Sequence, residues 1–306
     1  MNSGKATVTE STGSWYEIVS DDGQRLKCRI RGRMRLRSAR STNPVAVGDR
    51  VQWQTDSQGQ CVITDIMPRR NYILRRASNL SKESHIIAAN LDAAALVATL
   101  GSPTTSPEFI DRFLVTCEAY GVPPVIVLGK ADLARQTPER MAEFIDIYEN
   151  AGYRIIVLSA LTGEGVDSFA EMLAGRTTLI AGNSGVGKSS LIKAIDPNAD
   201  VRTGEISRSH HKGMHTTTFA RMYQAASGRI IDTPGIKGFG LLDISADELP
   251  RYFPDFMRHS PQCGYYNCTH THEPDCAVIR AVQSGQVSVS RYESYLKMLD
   301  EDDKYR

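Results

Sequence analysis

Gly182-Asn183-Ser184-Gly185-Val186-Gly187-Lys188-Ser189 has the residue types and spacing that hold a chain of phosphates. Its glycines let successive backbone N–H groups turn toward one anion, and a helix start beyond them adds its positive end. Lys188 can reach the outer phosphates and the Ser189 hydroxyl can ligate magnesium, with Ser190 following in the same turn. The apolar run Leu179-Ile180-Ala181 before the loop and Leu191-Ile192-Lys193-Ala194-Ile195 after it read as strand, loop and helix, the context the pattern requires. A glycine-rich turn without chemistry is the bland alternative.

Asp232-Thr233-Pro234-Gly235 follows a second β-like run, Arg229-Ile230-Ile231. An Asp at such a strand end can hold magnesium through water, and the Gly235 N–H can sense a γ-phosphate. A water-orienting Gln often follows that glycine, but Ile236 stands here and cannot hydrogen-bond a water. The candidate replacement is His215 in Gly213-Met214-His215-Thr216-Thr217-Thr218, a segment expected to cover the γ-phosphate. An imidazole titrates near neutrality and can position or deprotonate water, and a threonine such as Thr217 can complete the magnesium shell. Local packing is the competing role for His215.

Base recognition falls to Gly129-Lys130-Ala131-Asp132 and Ser159-Ala160. Asp132 can accept two hydrogen bonds from a guanine edge, the Lys130 stem can cover the base plane, and the Ser159-Ala160 backbone can donate to the guanine carbonyl. The Asn usual at the first position of such a motif is Gly129, so one hydrogen-bonding side chain is missing. These base-reading segments precede the phosphate-binding ones, the reverse of the common GTPase order. A cyclic shift of the chain keeps each strand in its place in the sheet but leads both switch segments directly into whatever follows.

On these motifs, residues of about 85 to 240 resemble the circularly permuted GTPases. With Val47-Gly48-Asp49-Arg50-Val51, His215-Thr216-Thr217-Thr218 and a Cys/His cluster near the other end, nearly the whole chain resembles the ribosome small subunit-dependent GTPase family, RsgA or YjeQ. The resemblance implies an N-terminal β-barrel, a P-loop GTPase, a zinc-binding C-terminal segment, and action in maturation of the small ribosomal subunit. It makes His215 the proposed catalytic histidine, and among the neighbouring histidines it selects His270 over His272 as zinc ligand.

The flanks carry chemistry of their own. From Arg25 to Arg37 a basic residue falls at every second position, Arg29, Arg31 and Arg33 among them, which is a strand or hairpin with one buried and one basic face. The first 76 residues hold 14 Lys or Arg against 7 Asp or Glu, a balance of +7, so the rest is −6 to reach the chain's +1. Charge so concentrated suits a surface that tracks RNA phosphates, with a solvated basic face as the alternative. Alternating strands and short turns fit an oligonucleotide-binding (OB-type) barrel. Cys263, Cys268, His270 and Cys276 offer three thiolates and an imidazole, the ligand set of a closed structural zinc site.

At 306 residues several domains are expected: an OB-type RNA-binding barrel over 1–80, the α/β P-loop GTPase over 81–242 and a helical zinc-binding domain over 243–306. Ala277 to Leu299 reads mostly as helix, and Asp300-Glu301-Asp302-Asp303 as a frayed, solvated tail. A helix capped by Ser106, begun by Pro107 and ended by Gly121 turns Phe109, Ile110, Phe113, Leu114 and Cys117 to one side. No segment is long and apolar enough for a membrane span or patterned as a secretion signal. A cytoplasmic, monomeric protein follows, with Cys28, Cys61 and Cys117 as reduced core thiols. The expected activity is hydrolysis of GTP to GDP and phosphate, timing a late step on the small subunit and its rRNA. An RNA-binding scaffold with a vestigial nucleotide site and an ATP-dependent P-loop enzyme are the alternatives.

Overall fold

Period-two burial in the first third of the chain builds a closed barrel. In the computed structural model, which describes residues 2–12, 15–30, 44–76, 84–197, 220–225, 228–232 and 244–304, its strands are β1 (Ser3–Ser11), β2 (Tyr16–Ser20), β3 (Arg25–Ile30), β4 (Arg50–Thr55) and β5 (Cys61–Ile66). They neighbour one another in the order β1-β2-β3-β5-β4, and β4 pairs back to β1. Val8, Ile18, Val51, Trp53 and Ile63 fill the interior. This is the OB-type arrangement expected from the alternation, although residues 31–43 of the basic stretch lie outside the described residues.

Cys28 and Cys61 correct the expectation of reduced thiols, because they form a disulfide across the β3–β5 seam. The parallel register sets Cys28 opposite Cys61 with Cα atoms 4.6 Å apart, inside the span a disulfide bridges. Cys117 does remain a buried free thiol, pushed up by burial.

A hairpin of β6 (Tyr72–Arg76) and β7 (Ser84–Ala89) follows the barrel. Gly48 lies at φ +91°, and a Cβ there would stand 2.1 Å from the Ala89 carbonyl oxygen, so only glycine allows the barrel to close against β7. Beside it the buried Asp49 carboxylate accepts from Arg69 Nε and Nη2, both at 2.7 Å.

The remaining chain alternates strand and helix. It runs through β8 (Ala93–Ala98), α1 (Pro107–Ala119), β9 (Pro124–Leu128), α2 (Ala131–Ala134), α3 (Pro138–Ala151), β10 (Arg154–Val157), α4 (Val166–Leu173), β11 (Thr177–Ala181), α5 (Lys188–Ile195), β12 (Arg221–Ala225) and β13 (Gly228–Asp232). The sheet order is β10-β9-β8-β11-β13-β12, parallel except for β12. Ser106 caps α1 by accepting from the Phe109 amide, and Ile110, Phe113, Leu114 and Cys117 face the core, as the sequence pattern requires. At the far edge β12 pairs with β1 at Glu10 and Arg221, joining barrel and α/β sheet into one ladder.

After residue 243 come α6 (Pro254–His259), α7 (Ala277–Gln283) and α8 (Val289–Lys304). The stretch from Ala277 to Leu299 is mostly helix, as expected, in two pieces with Gly285 at φ +75° between α7 and α8, and the backbone of residues 300–303 continues α8 instead of fraying. Buried Tyr295 and Met298 hold α8 down one turn earlier, so the helix propagates into the acidic run.

Arg291 of α8 ties this domain to the α/β sheet. With only 1% of its side chain exposed, it donates from Nη1 to Asp111 of α1 at 2.6 Å, and from Nε and Nη2 to Asp255 of α6 at 2.7 and 2.8 Å. The Phe253 and Tyr153 rings lie 5.0 and 5.4 Å from the guanidinium carbon. One buried guanidinium pairs with both carboxylates, and removal of the cation strands both. Arg291→Met is therefore expected to cost about 3–5 kcal/mol in urea unfolding, and a loss under about 1 kcal/mol would contradict the knot. Cys61→Ser is expected to cost about 2–4 kcal/mol under non-reducing conditions, since the cross-link closes a 33-residue separation. Two alkylatable thiols in the untreated wild-type barrel would contradict the bond.

Candidate nucleotide and metal sites

The phosphate loop leaves the carboxyl end of β11 and enters α5, as the motif demands. Gly182 lies at φ +144°, and a Cβ there would meet the Val97 carbonyl oxygen at 2.5 Å, so glycine lets the loop turn against β8. Lys188 folds back, its Nζ donating to the carbonyls of Gly182 and Asn183 at 2.5 and 2.9 Å. Burial pulls this ammonium below its usual range, with the Asp232 carboxylate opposing. Asp232 ends β13, buried and in register with Ile180 of β11, which puts it beside the loop where a carboxylate can face a loop-bound cation. Ser189 stands in the first turn of α5, so the donor set of hydroxyl and carboxylate suits magnesium. His215, Thr217 and Gly235 lie outside the described residues.

The base-reading segments converge on the same place. Gly129, Lys130, Asp132, Ser159, Ala160, Val186, Gly187 and Ser190 line one cavity of about 280 Å³, completed by Val97, Leu158 and neighbouring leucines. The Ser159 hydroxyl donates to Asp132 Oδ1 at 2.6 Å, and the Ala131 amide donates to the Leu158 carbonyl at 3.0 Å. Lys130 adopts a left-handed backbone at φ 55°, and its Nζ donates to the Ser102 carbonyl at 2.7 Å. A Cβ at Gly129 would approach Val97 Cγ1 to 3.3 Å and the Val186 carbonyl oxygen to 3.6 Å. The first contact asks Val97 to give by a few tenths of an ångström and the second is ordinary van der Waals contact, so packing does not by itself demand glycine at the usual Asn position.

The metal ligands named from sequence also come together. One ligand atom from each of Cys263, Cys268, His270 and Cys276 lies within 4.8 Å of all the others, and His270 Nδ1 is 3.7 Å from Cys263 Sγ and 3.4 Å from Cys276 Sγ. Tetrahedral coordination at ordinary Zn–S and Zn–N lengths places ligands about 3.5–3.8 Å apart, close to both His270–thiol separations, and the four residues together could hold one metal ion. His272 instead pairs with the Thr271 hydroxyl at 2.8 Å on the surface. Sequence reading missed the support around the cluster. Glu273 accepts from the Thr269 and Thr271 amides at 2.7 and 3.1 Å, and Tyr292 donates to the His270 carbonyl at 2.8 Å. Burial opposes the Glu273 charge, but the Thr269 hydroxyl and these amides outweigh it and hold the carboxyl well below the usual range. Arg29 is exposed on β3, whereas Arg31 and Arg33 lie outside the described residues.

Elemental analysis of chelator-free protein is expected to find one metal ion per chain, with Cys268→Ser losing it and loosening the C-terminal domain. Metal-free wild-type protein of unchanged stability would reject the ligand set.

Comparison with known proteins agrees with this geometry. A family model described as RsgA GTPase matches residues 66–242, and one described as RsgA N-terminal domain matches residues 5–63. The small ribosomal subunit biogenesis GTPase RsgA of Bacteroides fragilis is 52% identical over 99% of both chains, and that of Christiangramia forsetii 46% identical over 99% of this chain and 98% of its own. The crystal structure of YjeQ from Thermotoga maritima superposes with a TM-score of 0.78 at 33% identity, covering 98% of this chain and 99% of that one. YloQ, described as a circularly permuted GTPase, gives 0.73 at 26% identity over 100% and 96%. Matched along nearly its whole length, with its strands in permuted order around one nucleotide pocket, the chain belongs to the RsgA GTPase family.

Proposed function

We propose that the chain hydrolyses GTP as a timer in late maturation of the small ribosomal subunit. The observation that carries this reading is the shared cavity, which brings Asp132 and Ser159 to the start of α5 beside the phosphate loop. Asp132, held by Ser159, accepts from the guanine edge, and the Lys130 stem covers the base. Gly182 to Ser190 cradle the phosphates, with Lys188 leaving its loop carbonyls for the outer ones. Ser189, Asp232 and Thr217 would hold magnesium, which neutralises charge on the phosphates when bound. Gly235 senses the γ-phosphate, and His215 positions the attacking water in place of the residue that Ile236 cannot be.

The flanking domains give the cycle something to move. β12 begins at Arg221, three residues beyond Thr218, and its other neighbour is β1 of the barrel, so ordering of the switch reaches the barrel through one strand pair. Arg29, Arg31 and Arg33 would engage rRNA, and the Cys3His cluster would hold one structural zinc. On this reading the chain acts on ribosomal particles as a cytoplasmic monomer; separately, no helix among the described residues is long and apolar enough to cross a membrane.

GTP turnover measured with and without purified small subunits tests this reading. Slow basal turnover should rise with subunits by about 10³–10⁵, the range seen when a partner completes such a site. Lys188→Ala should abolish both rates, and His215→Ala should lose most of the stimulated rate while still binding GTP and the subunit. Full stimulation of His215→Ala would remove the histidine from the mechanism, and no stimulation of wild type would remove the subunit.

A further inference from the structure

Trp15 closes the turn between β1 and β2. The Thr12 amide and hydroxyl donate to its carbonyl at 2.9 and 3.1 Å, and its own amide donates to Thr12 Oγ1 at 3.2 Å, so its backbone is fixed. Tyr16 pairs with Cys28 and both point into the barrel, which sets Trp15 opposite Arg29 on the outer face. There Arg29 Cζ lies 4.1 Å and Lys27 Nζ 5.1 Å from the indole centre, both within cation–π reach. Glu17, on the same face, pairs with Arg25 at 3.4 Å. The other tryptophan, Trp53, is a member of the barrel core, whereas Trp15 is not. Closing the barrel therefore does not call for an indole at position 15.

We propose that Trp15, Lys27 and Arg29 form a stacking site for one unpaired RNA nucleotide. With Arg29 over one face of the indole, the base lies on the other, and its flanking phosphates lie against the two cations. The inference rests on the RNA-binding reading of the barrel and adds a demand that basic charge alone does not make. Charge engages any nucleic acid backbone, but an indole face is available only to a base that is not already paired and stacked. The strands β2 and β3 that carry the site form the face on which OB-type barrels receive oligonucleotides. An acidic protein segment could answer the same cations but would have no use for the ring.

The test uses the full chain, a fluorescent oligouridine and an RNA duplex of equal length, at one ionic strength. Trp15→Ala is expected to weaken oligouridine binding about tenfold or more while duplex binding stays within about twofold, and Trp15→Phe should stay within about threefold of wild type. Oligouridine should quench wild-type tryptophan emission but not that of Trp15→Phe, in which Trp53 remains. Arg29→Glu should weaken both RNAs. Wild-type oligouridine affinity in Trp15→Ala, an equal loss of both ligands, or competition by polyglutamate that depends on Trp15 would each overturn the stacking site. If only Trp15→Ala is neutral and Arg29→Glu still loses RNA, the RNA-binding reading of the barrel survives. If wild type binds neither RNA, both fail.

Discussion

The pairing of β8 with β11 is the constraint on which the nucleotide site depends. β8 enters the sheet before the phosphate-loop strand is reached in sequence, yet it lies beside that strand in parallel register from Ala93–Thr178 to Leu96–Ala181. With β9 and β10 stacked outward from β8, the carboxyl ends of four strands deliver base-reading and phosphate-binding loops to one crevice. β8 is buried at every position, and Ala93, Ala94 and Ala95 keep it thin enough for helices to pack on both faces. The permutation changes where the chain enters this sheet and leaves the crevice intact.

What the permutation does change is the attachment of the flanking domains. The barrel is stitched to the edge strand β12 through Glu10 and Arg221. The C-terminal domain is fastened elsewhere, through Arg291 to Asp111 on α1, beside the base-reading half. One attachment is a short strand pair near the surface, with an Arg221–Glu10 contact at 3.5 Å, and exposed pairs of that kind contribute little. The other is a fully buried ion pair under aromatic rings, costly to open. The barrel has a second join, where Val47 enters the α/β core beside Ala88 of β7, so the strand pair at β12 is the weaker of its two contacts.

Local chemistry was legible in the sequence, and long-range register was not. The phosphate loop could be read because its function is carried by backbone amides that a few glycines release, and the metal ligands because three thiols and an imidazole fall within fourteen residues. The β-barrel followed from alternation. The Cys28–Cys61 bond was invisible because it depends on β3 pairing with β5, 33 residues on. Arg291 looks like any basic residue on a polar helix, and its partner Asp111 lies 180 residues away. Glu273 sits inside the metal motif without being a ligand, so spacing offered no sign that it holds the Thr269–Thr271 backbone. Gly129 lacks the hydrogen-bonding side chain usual at its position, and a Cβ there would meet only Val97 Cγ1 tightly, at 3.3 Å.

Comparative binding of GTP and ATP to the full chain, by titration calorimetry in magnesium buffer, tests most directly that the crevice reads guanine without the usual Asn. An adenine edge leaves the Asp132 carboxylate facing the wrong groups, a mismatch that costs about 1–3 kcal/mol. GTP should therefore bind roughly tenfold or more tighter than ATP. Equal affinities would contradict the account, because Asp132 and Ser159 would then line the cavity without reading the base.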